Sequence, residues 1–207
     1  MRIKPETCEL IGAIIGDGNI YYKGNYVEIA GHPVLDEFYY NSFLKPLIIS
    51  ELGYYPKIRE RYGAIRLRID NKEFVLWLIG LGIPAGHGKF AKVVIPKKIL
   101  VQFPDYSKYT IRGIFDTDGS VYYDKRKIYR KPYIRIEFHM DNRRLLNQIS
   151  GILHQLKLKP RPCKRKNSLY LNGYDEVKKF IITIGISNIR HINRIRKQYP
   201  ELIDSPR

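Results

Sequence analysis

The chain repeats itself. The run Leu10-Ile-Gly-Ala-Ile-Ile-Gly-Asp17-Gly18-Asn-Ile-Tyr-Tyr22 returns as Ile111-Arg-Gly-Ile-Phe-Asp-Thr-Asp118-Gly119-Ser-Val-Tyr-Tyr123, with Asp118 standing 101 residues after Asp17. A second block, Glu73-Phe74 through Leu81-Gly82-Ile83, returns as Glu176-Val177 through Ile184-Gly185-Ile186 at an offset of 103. Two blocks in the same order at nearly one interval restrict the fold to a duplicated unit with a two-residue slip. The 207 residues suffice for two units of about 100 residues each.

Each unit reads alike. An apolar helix over about 5–17 or 106–118 ends in Asp-Gly. Strands follow, with period-two alternation at Val27/Ile29 and at Ile134/Ile136/Phe138. Helices are expected near 34–52 and 142–156, strands at Ile65/Leu67/Ile69 and Leu169/Leu171, and closing helices near 71–80 and 174–183. Pro96 and Pro104 bracket the approach to the second copy, which places the boundary near residue 103, between units 1–103 and 104–207.

The aspartates are the unusual part. A carboxylate at a helix C-terminus faces the negative end of the helix dipole and is disfavoured by about 0.3–1 kcal/mol. Two at equivalent positions suggest a compensating cation. Gly12/Gly16 and Gly113/Thr117 lie four apart on these helices, so each pair shares one face and permits close approach. Packing along that face would bring Asp17 and Asp118 together. Gly18 and Gly119 suit the left-handed position just past a helix end.

Composition narrows the function. There are 37 Lys+Arg against 20 Asp+Glu, a net charge of +17. Residues 1–103 contribute +4 and residues 104–207 contribute +13. Hydrophobic residues are 44% of the chain, so this is a folded polycation rather than a disordered basic tail, and its natural partner is a polyanion. The longest stretch without charge or histidine, Phe74 to Gly86, is 13 residues and contains Pro84, too short for a membrane span. No targeting segment is read at the N-terminus, so an intracellular, nucleoid-associated cytoplasmic protein is expected. Cys8 and Cys163 are far apart and outside any C-x-x-C, and the five histidines include no pair at helical ligand spacing. Carboxylates are left as the metal ligands. Few Cys and Met among many Tyr, Ile, Lys and Arg hint at a thermophilic host.

Leu10–Gly18 and Ile111–Gly119 resemble the two copies of the nine-residue motif of the LAGLIDADG homing endonucleases, in the single-chain form. Gly12, Asp17 and Gly18, then Gly113, Asp116, Asp118 and Gly119, stand at the motif's positions; Ile15 departs, where an aspartate is common. The resemblance implies an α+β fold of two pseudo-twofold-related αββαββα units. The motif helices would form the interface, and the antiparallel sheets a saddle over duplex DNA. It implies a monomer without an obligate protein partner that binds double-stranded DNA and hydrolyses one phosphodiester per strand across the minor groove. Asp17 and Asp118 would hold the metal: Mg²⁺, with Mn²⁺ as a substitute and Ca²⁺ as an ion that binds without supporting turnover. A lysine is also implied just upstream of Ile95-Pro96; Lys92 fits, with Lys89 as the fallback. For the second half Arg194, Arg196 and Lys197 stay open.

The chemistry is consistent with these groups. Phosphodiester hydrolysis needs a cation to neutralise phosphate and activate water, and Mg²⁺ prefers one or two carboxylates with water and phosphate oxygens. The exposed carbonyls of Gly16 and Thr117 at the helix ends would add ligands. Alternation assigns the reading surface: with Ile65, Leu67 and Ile69 inward, Arg66 and Arg68 face out, and Arg59 and Arg61 extend that face. In the second half Arg135, Glu137, His139, Tyr170 and Asn172 face out beside Lys164 and Lys166. Arg suits guanine, Asn adenine, and Glu the amino group of cytosine. His32 and His139 close the first long strand of their repeats and could also face the scissile phosphates.

Two other loops are dismissed. Asp116-Thr-Asp118-Gly-Ser resembles a haloacid dehalogenase nucleophile loop, yet Ile15 breaks its repeat, and an EF-hand fails because Lys127 stands at its twelfth position. The remaining alternative is a catalytically silent relative, a maturase bound to intron RNA or a DNA-binding regulator. Retention of both aspartates favours the enzyme, and the length favours a free-standing, intron-encoded reading frame.

Overall fold

The computed structural model describes residues 1–204 apart from 87, 127, 129, 130, 164 and 166. The first half runs α1 (Pro5–Asp17), β1 (Gly18–Tyr21), a 3-10 turn (Tyr22–Gly24), β2 (Tyr26–Gly31), α2 (Glu37–Tyr39), a π-turn (Tyr40–Leu44), α3 (Lys45–Leu52), β3 (Lys57–Arg61), β4 (Ala64–Asp70) and α4 (Lys72–Gly80). Short helices α5 (Lys89–Lys92) and α6 (Lys97–Leu100) lead to α7 (Ser107–Asp118). The second half continues with β5 (Gly119–Asp124), β6 (Tyr133–His139), α8 (Arg143–Gln155), β7 (Arg161–Cys163), β8 (Ser168–Asn172), α9 (Tyr174–Thr183), α10 (Ile189–Arg196) and α11 (Glu201–Asp204).

Both sheets are antiparallel, with the same order: β1-β2-β4-β3 and β5-β6-β8-β7. Ile29 pairs with Leu67 in one and Phe138 with Leu169 in the other, so the inward rows inferred from alternation pack on the helices. Asn71 and Asn142 cap α4 and α8 by accepting from the amides of Phe74 and Leu145. The fold is the expected α+β architecture of two repeated units.

The α1–α7 contact is the spine of the molecule. A Cβ on Gly12 would strike the Thr110 carbonyl oxygen, one on Gly113 the Glu9 carbonyl, and one on Gly16 the Thr117 hydroxyl. Backbone therefore meets backbone. Polar groups also cross this contact: Arg112 Nε donates to Glu9 Oε1 at 2.7 Å, and Ser187 Oγ donates to the same oxygen at 2.7 Å.

Gly18 and Gly119 correct the left-handed expectation. Their φ/ψ are −85°/158° and −84°/166°, extended backbone that any residue adopts. Glycine is required for space: a Cβ would lie 2.7 Å from the Ile14 carbonyl oxygen, or 2.6 Å from that of Phe115. Each strand leaves its helix by folding back against its last turn.

Candidate active site

α1 and α7 end side by side. The Asp118 Cβ lies 3.4 Å from the point where a Cβ on Gly16 would stand, which sets Asp118 against the end of α1, close enough for its charge to act on Asp17. Both are reluctant to ionise. Burial, followed by the negative charge of Asp118, raises the Asp17 pKa to about 7, and Asp36 adds to this while Arg190 and Lys89 oppose it. Asp118 is open to solvent on one side, but desolvation by the surrounding protein still raises it to about 6 against the pull of His139 and Lys89. Two crowded carboxylates form a hard, oxygen-rich donor set that a divalent cation relieves.

The carbonyls at the helix ends divide. Among the described residues no hydrogen bond is donated to the Gly16 carbonyl, which leaves it free as a ligand. Thr117 is different: its carbonyl accepts from Arg190 Nη2 at 3.2 Å. A cation that recruited Thr117 would have to displace a guanidinium. Among the described residues no cluster of three or more His, Cys, Asp or Glu gathers around an ion position.

Lys92 is not at this centre. It is exposed, whereas Lys89 is 1% exposed and drives its ammonium into the end of α1. Lys89 Nζ donates to the carbonyls of Ile14 at 2.6 Å and Ile15 at 3.3 Å, and also to that of Gly18. Burial lowers its pKa to about 8 while Asp17 and Asp118 hold it up. Gly86 and Gly88, at φ +83° and +80°, turn the chain so that the first lysine of α5 points inward.

On the second motif helix the cation at the C-terminal carbonyls is Arg190, which the sequence reading missed. It stands 101 residues after Lys89, the interval between the two aspartates. Its guanidinium reaches Asp36 Oδ2 at 3.0 Å and the Asp116 carbonyl at 3.4 Å in addition to Thr117. Arg194, Arg196 and Lys197, the second-half candidates from the sequence, lie one offset of 103 residues, give or take two, beyond Lys92. Those residues are exposed, and Arg196 pairs with Asp204 at 3.0 Å. Asp116 is fully buried; desolvation raises its pKa to about 8, and it accepts from the amides of Ser187 and Asn188 at 3.0 and 3.1 Å. It anchors the α9–α10 connection.

The polar sheet faces carry the remaining candidates. Arg59, Arg61, Arg66 and Arg68 line one open hollow with Glu28 and Lys57. Arg66 pairs with Glu28 at 2.6 Å and Arg68 with Asp70 at 2.6 Å, while the Arg68 guanidinium lies 3.7 Å above the Tyr26 ring. In the second sheet Arg135, Glu137, His139 and Tyr170 line a larger hollow, and Asn172 pairs with Arg135 in register. Arg135 is tied to Asp124 at 3.0 Å; Glu137 accepts from Ser168 at 2.9 Å and Tyr170 at 2.8 Å. Lys164 and Lys166 lie outside the described residues. The histidines divide: His139 faces Asp118, whereas His32 Nδ1 accepts from the amides of Val34 and Leu35, both at 3.2 Å, and braces a turn.

Residues 105–198 match the LAGLIDADG-like domain family. The fold comparison covers both halves. I-DmoI, solved in complex with DNA and Mn, superposes with a TM-score of 0.58 at 23% identity over 87% of this chain and 96% of its own. The chain has the LAGLIDADG fold in its single-chain form. Mesophilic variants of I-DmoI give a TM-score of 0.60 at 22% identity, covering 87% of this chain and 95% of theirs. I-WcaI bound to its DNA recognition sequence gives 0.58 at 18%, covering 95% and 86%. Comparison with curated protein sequences finds no match. In this LAGLIDADG fold the motif helices are α1 and α7, and their last residues are Asp17 and Asp118.

Proposed function

We propose that the chain is a monomeric, divalent-metal-dependent DNA endonuclease that hydrolyses one phosphodiester in each strand of a long, asymmetric duplex target, with residues 1–103 and 104–207 as its two halves. The observation that carries this reading is the tight packing of the two helix ends that carry Asp17 and Asp118, where burial raises the pKa of each carboxyl. Mg²⁺ is the expected ion, with Mn²⁺ a substitute and Ca²⁺ a non-productive ligand; I-DmoI is known in complexes with DNA and Mn and with DNA and Ca.

A divalent cation would supply charge neutralisation at the phosphate and an activated water. The protein's own groups do the rest. Asp17, Asp118 and the Gly16 carbonyl offer oxygens at the two packed helix ends. Lys89 and Arg190 neutralise the exposed carbonyls of the helix ends, so the negative dipole ends do not repel an incoming phosphate. Their position beside the carboxylates also suits them to stabilise charge as it develops on the phosphate. The polar faces of both sheets would lie along the grooves, with Arg59, Arg61, Arg66, Arg68, Arg135, Glu137, His139, Tyr170 and Asn172 toward bases and backbone.

The test is cleavage selection from a randomised duplex library with Mg²⁺. Recovery of one long target cut in both strands supports the reading. Bound but uncut duplex, under Mg²⁺ and Mn²⁺ alike, would sink it.

A further inference from the structure

Asp36 is a carboxylate of the first half whose side-chain partners belong to the second. It stands just before α2 and is 4% exposed. Its Oδ2 accepts from Arg190 Nη1 at 3.0 Å and from the His32 amide at 2.8 Å, while its Oδ1 accepts from Asn188 Nδ2 at 2.8 Å. Arg190 and Asn188 lie 154 and 152 residues further along the chain. A buried carboxylate is costly unless it is both paired and hydrogen-bonded, and here both conditions are met across the boundary between the halves.

These contacts fix the plane of a guanidinium. Arg190 has Nη1 on Asp36, and Nη2 between the carbonyls of Thr117 at 3.2 Å and Asp116 at 3.4 Å. One arm of the fork is therefore held by the first half and the other by the last turn of α7. Asn188 braces the arrangement: its Nδ2 also donates to the Asp116 carbonyl at 2.9 Å, and its Oδ1 accepts from the Arg190 amide at 3.0 Å. Offsetting a helix dipole needs a cation at the C-terminus but no carboxylate from elsewhere. Lys89 does that task at α1 through backbone carbonyls alone among the described hydrogen bonds. An ammonium is a point charge that serves at any rotation, whereas a planar fork has a direction to be set.

We propose that Asp36 is a positioning residue for the second-half site: it holds the Arg190 guanidinium against the Thr117 carbonyl, one residue from Asp118, so that its charge stands in one fixed place when a phosphate arrives. This rests on the nuclease reading above and adds to it that a first-half side chain sets the second-half cation. Lys89 has no such tether, so the two sites are built unlike.

The test is a double-mutant cycle on single-turnover cleavage of the selected target, at saturating protein, with Asp36→Asn, Arg190→Met and the two combined. Asp36→Asn keeps the shape and removes the charge. The expected result is duplex affinity within about twofold of the parent, cleavage slowed about tenfold or more by Asp36→Asn, and less than about twofold further loss when it is added to Arg190→Met. Losses that multiply in the combined variant would make Asp36 structural and overturn the proposal, as would parent-like cleavage by Asp36→Asn. Should Asp36→Asn not fold, Arg190→Lys decides: it keeps the charge but cannot hold both arms, and should cleave nearly as slowly as Arg190→Met. Parent-like cleavage by Arg190→Lys would show that orientation is not needed and overturn the proposal. A further readout needs no cleavage. The Arg190 Nη nuclei should give separate NMR signals in the parent, where rotation is restricted, and merged ones in Asp36→Asn. If the parent cuts no duplex, the nuclease reading fails, and these signals judge the tether alone: signals unchanged by Asp36→Asn would show that Asp36 does not hold the guanidinium.

Discussion

Lys89 and Arg190 each plug the end of one motif helix: the lysine donates to the carbonyls of Ile14, Ile15 and Gly18, the arginine to those of Asp116 and Thr117. Cations at helix C-termini are favourable for dipole reasons alone. Here they also sit beside carboxylates, and this doubles their consequence.

Replacing Lys89 with methionine should keep duplex binding and lower the cleavage rate by about 10²-fold, the scale of losing one charge stabiliser in a preorganised site. Lys92→Met should cleave like the parent, since that side chain is in solvent. Single-turnover cleavage of the selected target compares the two. Equal loss in both variants would remove Lys89 from the reaction.

Asp17→Asn should abolish cutting and raise the stability of the metal-free protein at alkaline pH. The sign follows from the raised pKa, about 7 against 3.8. Such a group favours the fold fully below its unfolded value, and that contribution disappears as pH rises through the folded value. The stability gap between variant and parent should therefore be near zero at pH 4 and reach on the order of 1 kcal/mol or more by pH 8. Urea titrations at four pH values measure it, and a gap that shrinks with pH contradicts the burial of Asp17.

Metal uptake should release protons. Asp17 at about 7 and Asp118 at about 6 must both ionise to coordinate, so Mn²⁺ affinity should rise between pH 5.5 and about 7.5 and then level off. Calorimetry in buffers of different ionisation enthalpy counts the protons. Release of none would show that the carboxylates are not the ligands.

The two kinds of helix glycine should respond in opposite directions. Gly113→Ala forces a methyl into the Glu9 backbone and should cost about 3 kcal/mol or more, because neither helix can retreat without opening the core. Gly151, exposed in α8 with open space around it, should gain about 0.5–1 kcal/mol on conversion to alanine. Thermal denaturation of both settles it.

Duplex affinity should fall steeply with salt, with a log–log slope near −0.9 for each phosphate neutralised, about 10³-fold or more between 50 and 200 mM if six phosphates are met. Filter binding over that range tests the charge of +17.

Much of this architecture was legible from periodicity. α1, α7 and the long strands follow from apolar spacing, and the close helix crossing from Gly12, Gly16 and Gly113, because those signals are local or repeated. The misplaced lysine was not legible: Lys89 and Lys92 flank the same turn, and the positive-φ geometry at Gly86 and Gly88 selects one of them. Arg190 was within reach, since the motif's own 101-residue interval leads to it from Lys89.

Arg66, Arg68 and Arg135 do not wait empty-handed. Each is already engaged, with Glu28, Asp70 and Asp124 respectively. A duplex that wants one of these guanidinium groups has to outcompete a carboxylate in place, and a guanine presented at the wrong step offers too little to do so. If the chain binds duplex as proposed, these carboxylates would screen near-miss sequences before any base is read, and neutralising Glu28 or Asp124 should make the protein hold DNA harder and choose it less well.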